Sequence, residues 1–211
     1  MKKNKLFYIT LIITFIPLIV NLIAYPHMPD KIPVHWGING DPNRYGSKVE
    51  QLTLSALPLV MFLFLNFLPS IDPKKESYKK HDTAFSAINF VIILVLIIFN
   101  LTGLFSALGY NMQFQKIVPM LLGLLFIVLG NFMTQLRHNY FFGIRTPWTL
   151  ASEYVWKKTH RFGGYVFVVI GLVPLSSIFI GPIGMYLFLG ALAIGIVMIL
   201  MYSYFVFKRE K

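Results

Sequence analysis

An all-α, polytopic membrane bundle of about six transmembrane helices, with both termini cytoplasmic, is the fold class this sequence predicts. Three observations carry it. The 211 residues are 56% apolar and 13% charged, where a soluble domain carries about a quarter charged residues. The charges gather at the ends of apolar runs. From Phe162 to Phe207, 46 residues, there is no charged side chain. As helix that stretch would run roughly 69 Å against a hydrocarbon core of roughly 30 Å. It therefore holds two crossings, with Gly181–Gly184 ("GPIG") as the turn between them.

The apolar runs, in order, are Leu6–Tyr25, Leu52–Leu68, Ala84–Leu108, Ile117–Met133, Phe162–Ile180 and Met185–Phe207. Each supplies the length that a spanning helix needs, and backbone groups in lipid must be satisfied within the segment. The first run follows a basic start, as a signal peptide would. Its apolar part is longer than a signal core and no small-x-small cleavage site follows, so it reads as a retained span.

Orientation follows from the cations. With both termini inside, the inner segments hold Lys2, Lys3, Lys5, Lys74, Lys75, Lys79, Lys80, Arg137, Arg145, Lys157, Lys158, Arg161, Lys208, Arg209 and Lys211. Only Lys31, Arg44, Lys48 and Lys116 fall outside. That asymmetry satisfies the positive-inside rule. The net charge of +11 is therefore topological, and no nucleic-acid partner is expected. The absence of cysteine removes disulfides and thiolate metal sites, and no cofactor or metal is expected.

The chain divides into a two-span unit, residues 1–69, with an extracytoplasmic loop over 26–51, and a four-span unit, residues 70–211, with a cytoplasmic loop over 134–161. The stretch "IDPKKESYKKHD" (Ile71–Asp82) reads as a basic, solvated connector. No internal repeat is evident, which weakens an inverted-repeat transporter reading.

In the outer loop, Pro26, Pro29, Pro33 and Pro42 impose extended geometry on their neighbours. Asn39–Gly40 before Asp41–Pro42 is a turn signal. An extended arm beginning "KIPVHW", a tight turn and a returning arm are expected. His35, Trp36, Asn39, Arg44 and Tyr45 combine aromatic faces with polar tips, which suits a peptide or headgroup ligand. The alternative is that Trp36 and Tyr45 merely anchor the loop at the interface. His27 and His35 lack the spacing of a metal-ligand pair.

In the inner loop, "FFGIRTPWTLASEYVWKKTH" (Phe141–His160) is a polar, aromatic island between apolar runs. Thr146 and Pro147 form a helix start, and one helix is expected from there to about His160. On it Thr149, Glu153, Trp156 and His160 would share a face, with lysines turned toward anionic lipid of the inner leaflet. Arg145 suits a clasp on a lipid phosphate or a pair with Glu153. The plainer reading is a structural clamp with snorkelling cations. Glu153 and His160 are about 10 Å apart along such a helix, and no catalytic signature occurs. Within the spans, Asn21, Asn66, Asn100 and Asn131 are expected to bond helix to helix.

The motif "GIRTPWTLASEYVWKKTHRFGG" closely resembles the signature of the SdpI family of bacterial membrane immunity proteins. The outer-loop text "MPDKIPVHWGINGDPNRYGSK" is similar to the domain of unknown function that commonly precedes that region. The resemblance implies a multi-pass plasma-membrane protein of a bacterium, Gram-positive by analogy, that protects its producer from a secreted peptide toxin. It implies a second role, holding a cognate transcriptional repressor at the membrane. By analogy the outer loop meets the toxin. The inner signature, Gly143, Arg145, Thr146, Pro147, Trp148, Thr149, Glu153 and Trp156, is either structural or repressor-facing. A small transporter or exporter of peptide or lipid-like cargo is the alternative, and it calls for a polar cavity lined by the intramembrane asparagines.

Overall fold

The computed structural model describes residues 4–210, so Lys2, Lys3 and Lys211, counted above among the inner cations, lie outside the described residues. Among the described residues, six helices are long and apolar enough to cross a membrane: Lys5–His27, Lys48–Ile71, Asp82–Ala107, Phe114–Met133, Glu153–Ile180 and Ile183–Glu210. The protein is a multi-pass membrane protein. Ile12, Leu22, Leu63, Phe67, Val169 and Ile194 are each more than half exposed, as expected where lipid rather than water meets the outer surface.

The first span comprises α1 (Lys5–Ile13) and α2 (Phe15–Ala24), closed by a 3₁₀ turn at Tyr25–His27. Asn4 caps α1 by accepting from the Phe7 amide at 2.9 Å. Its amide group donates to Ser86 Oγ at 2.9 Å, tying the start of the chain to the third span.

The outer loop folds as a hairpin, β1 (Lys31–Trp36) against β2 (Pro42–Ser47). This is the one departure from an all-helical chain among the described residues, and it follows the expected arm, turn and returning arm. Gly40 takes φ 84° at the turn, a conformation that glycine adopts without a Cβ penalty. Ile32 is fully buried with Met28, Leu104 and Ala107, which seats the hairpin on the third span. Trp36 is partly buried against the fourth span. Its ring stacks on Phe114 at 3.9 Å.

Ser47 and Glu50 then form a capping box that starts α3 (Lys48–Leu54), ahead of α4 (Leu57–Ile71). The short α5 (Lys75–Lys79) leads to α6 (Asp82–Ala107), the most buried span. Its core contacts reach α4 through Phe62, Ile93 and Ile97. Next come α7 (Phe114–Met133), α8 (Pro147–Ala151), α9 (Glu153–Leu175), α10 (Ser177–Ile180) and α11 (Ile183–Glu210). Gly181, at φ 62°, makes the last turn.

The helices α7 and α9 meet through glycines seven residues apart on each. A Cβ at Gly123 would stand 2.7 Å from the Gly171 carbonyl oxygen, and one at Gly130 would stand 2.6 Å from that of Gly164. Backbones approach this closely only where neither residue carries a side chain.

Of the four asparagines expected to bond helix to helix, Asn21 and Asn100 do so and Asn66 and Asn131 do not. Asn21 Nδ2 donates to Asn100 Oδ1 at 2.8 Å, and Gln51 Nε2 donates to Asn21 Oδ1 at 3.1 Å and to the Asn100 carbonyl at 2.9 Å. Asn66 and Asn131 instead donate to the carbonyls of Phe62 and Ile127 in their own helices. Asn21 makes the same bond, to the Pro17 carbonyl at 2.8 Å, beside its interhelical one.

Candidate functional site

The single helix expected from Pro147 to His160 is broken in two. Ser152 is extended, with φ −138° and ψ 130°, and caps α9 by accepting from the Val155 amide at 3.3 Å. Its hydroxyl donates to Glu210 Oε1 at 2.8 Å. A serine competing with the helix for backbone partners is the reason for the break. Thr149 consequently lies on α8 and does not share a face with Glu153, Trp156 and His160. Nor is the second half of the island a separate helix: from Glu153 onward it is continuous with the fifth helix long and apolar enough to cross a membrane.

Four signature residues are structural in their contacts. Thr146 and Thr149 cap α8 reciprocally: Thr146 Oγ1 accepts from the Thr149 amide at 3.1 Å, and Thr149 Oγ1 from the Thr146 amide at 2.8 Å. Trp156 is fully buried, and its Nε1 donates to the Leu136 carbonyl at 2.9 Å. It stacks on His160 at 3.9 Å. That histidine donates from Nδ1 to the Trp156 carbonyl at 2.8 Å and accepts at Nε2 from the Ile144 amide at 3.0 Å. Gly143 sits at φ 110°, and any Cβ there would run into His160 Nε2. Both the backbone conformation and the close approach require glycine.

The other four face outward. Arg145 is exposed and donates from Nη1 to the Tyr140 carbonyl at 2.9 Å, not to Glu153. Glu153 is exposed beside Lys157 at 3.9 Å. Pro147 is exposed at the first position of α8, and the half-buried Trp148 meets Tyr204 edge-on at 5.3 Å. Glu153 and His160 are thus engaged with separate partners and do not converge on one site.

The stretch read as a solvated connector is instead the other half of this site. Asp72 is buried, and its carboxylate accepts from the Lys74 amide at 2.7 Å, the Tyr78 hydroxyl at 2.9 Å and the Tyr140 amide at 2.9 Å. Tyr78 OH also lies 3.0 Å from Oδ1 of the fully buried Asn139. Asn139 Oδ1 further accepts from the amides of Phe141 and Phe142, while Nδ2 donates to the carbonyls of Arg137 and Phe142. Burial, helped by the Asp72 carboxylate, raises the Tyr78 phenol well above its ordinary range. Lys74 Nζ reaches His138 Nδ1 at 2.8 Å. Together these residues tie the segment after α4 to the segment after α7.

His81 belongs to the same knot, accepting at Nδ1 from the Arg137 amide at 3.2 Å. Burial, and then the Arg137 charge, pushes its pKa down to about 4. His138 is also lowered, by burial and by Lys74. A histidine held neutral when folded favours the folded state above its unfolded pKa of about 6.5. As pH falls from about 6.5 toward 4, the unfolded chain takes up the proton first, and stability drops by up to about 1.4 kcal/mol per pH unit for each such group. Melting temperature in detergent is expected to decline over that window, and less steeply in His81→Asn, which keeps an acceptor near the Nδ1 position. Parallel slopes would show that His81 does not titrate this way.

At the opposite end of the bundle, His35, Asn39, Arg44 and Tyr45 are exposed on the hairpin. His35 Nδ1 lies 2.6 Å from Asn43 Oδ1, and Arg44 pairs with Glu50 at 3.1 Å. Trp36 is held against Phe114 and forms a wall of a polar recess with Asp41, Tyr110, Asn111 and Gln113. Among the described residues no cluster of three or more His, Asp or Glu is arranged to hold a metal.

Sequence reasoning passed over Asp72, Tyr78, His81, His138 and Asn139. The available signal was the pairing of Asp72–Pro73 with two aromatic side chains, Tyr78 and His81, inside an otherwise basic stretch.

A family model described as the SdpI/YfhL protein family matches residues 135–203. A second, for a domain of unknown function (DUF1648), matches residues 12–69. A protein of Bacillus subtilis (strain 168) named Immunity protein SdpI is 33% identical, with the match covering 99% of this chain and 98% of that protein. No solved structure matches the chain.

Proposed function

The chain belongs to the SdpI/YfhL family, and on that premise we propose that it is an immunity protein of the plasma membrane, protecting its cell against a secreted peptide toxin. The observation that carries this is the 33% identity to Immunity protein SdpI over nearly the whole of both chains. The role is non-enzymatic in this reading. The hairpin faces outward and the signature faces the cytoplasm, the orientation that the cations favour. The toxin is received at the hairpin end, where His35, Asn39, Arg44 and Tyr45 are exposed on a platform pinned by Ile32 and Trp36.

A cytoplasmic repressor, where the cell has one, meets Arg145, Trp148 and Glu153. Gly143, Thr146, Thr149 and Trp156 build the element that presents them. A two-span unit over 1–69 and a four-span unit over 70–211 remain the division we favour. Transport of cargo past Asn21 and Asn100 finds no support, because these two and Gln51 are buried and bonded to one another.

Survival tests the reading. The protein is expressed in a sensitive Gram-positive host challenged with an SDP-type peptide toxin. We expect protection by the wild type, and its loss in Arg145→Ala at equal membrane abundance. No protection by wild-type protein verified in the membrane would overturn immunity toward that toxin. Full protection by Arg145→Ala would remove the signature's outward face from the mechanism.

A further inference from the structure

At the basic end of the bundle a groove of about 450 Å³ runs between α9 and α11, lined by Tyr154, Lys158, Tyr202, Phe205, Val206 and Arg209. Two cations line it and no carboxylate does. The acids nearest in sequence are engaged elsewhere, Glu153 beside Lys157 and Glu210 with Ser152. Lys158 and Arg209 make no ion pair among the described residues; Lys158 Nζ lies 5.5 Å from the centre of the Tyr154 ring. Phe162 stacks on Tyr202 at 4.3 Å where the two helices meet.

From the cations, each helix continues into the membrane with an exposed apolar stripe. On α9 it is Tyr165, Val169 and Leu172; on α11 it is Phe205, Met198 and Ile194. The spacings, 158–165–169–172 and 209–205–198–194, keep each stripe on the face below its cation. A guanidinium and an ammonium suit a phosphate, tyrosines suit the headgroup depth, and apolar walls beneath them suit a hydrocarbon chain. Basic pockets between helices at a membrane face have this character.

We propose that this groove binds an anionic phospholipid. Its phosphate lies between Lys158 and Arg209, and an acyl chain lies along the two apolar stripes. An acidic soluble partner would use the cations but leave the stripes without a role, so the lipid accounts for more of the surface. The inference is independent of which toxin, if any, the protein resists.

The test is native mass spectrometry of the full chain released from micelles with phosphatidylglycerol or phosphatidylcholine of matched acyl chains. Wild type is expected to retain one phosphatidylglycerol with about tenfold preference. Lys158→Gln with Arg209→Gln should abolish the preference, while the charge-keeping pair Lys158→Arg with Arg209→Lys retains it. Removing two exposed cations elsewhere, Lys79→Gln with Lys80→Gln, should leave it intact, with melting curves confirming that all variants fold. Equal retention of the two lipids, or equal loss in both glutamine pairs, would overturn the proposal. So would displacement of the lipid by a soluble polyglutamate peptide that binds more tightly at the same two side chains.

Discussion

Replacing Asp72 with alanine is expected to destabilise the protein by about 2–5 kcal/mol, one of the two largest single-site effects in the molecule. The carboxylate accepts from three donors, and the Tyr78 hydroxyl alone has an alternative acceptor, in Asn139. The amides of Lys74 and Tyr140 would be left without one. Each orphaned group in a buried site costs about 1–3 kcal/mol. Asp72→Asn retains one acceptor oxygen and should lose less than the alanine variant. Denaturant titration in mixed micelles measures both. If Asp72→Ala melts like wild type, the knot is not what holds the segment after α4 to the segment after α7.

Trp156→Ala should cost about 3–5 kcal/mol, the range for emptying a large aromatic side chain from a packed interior. The indole is fully buried with Ala84, Ile88, Met133 and Leu136, and it supplies the donor for the Leu136 carbonyl. Trp156→Phe separates these contributions. It keeps a ring against His160 and loses the hydrogen bond, so roughly 1–3 kcal/mol is expected. Both variants should protect cells poorly and also accumulate poorly. Arg145→Ala should protect poorly while accumulating normally, because its guanidinium is exposed and makes one bond to a loop carbonyl. A stable Trp156→Ala that fails to protect would move Trp156 from the supporting structure to the contact surface.

The signature was legible as a motif before it was legible as a structure. Thr146–Pro147 announced a helix start correctly, because capping is local and depends on residues three positions apart. The helix end was missed at Ser152, whose side chain engages Glu210, a residue 58 positions away. The asparagines divide the same way. Asn21 and Asn100 bond across helices as expected, but Asn66 and Asn131 donate to the carbonyl four residues back in their own helices.

Sequence by itself determined the number of spans, their approximate limits and the hairpin with its turn. Apolar transfer into lipid is a sum over neighbouring residues, and turn chemistry is set within a few positions. The tertiary structure alone decided which polar groups meet. Asp72 and Tyr140 are 68 positions apart, and Tyr78 and Asn139 are 61 apart. Buried loop backbone must find acceptors wherever the packed helices bring them. The close approach of α7 and α9 at paired glycines helps set which loops share the basic end of the bundle, and so which side chains those acceptors are.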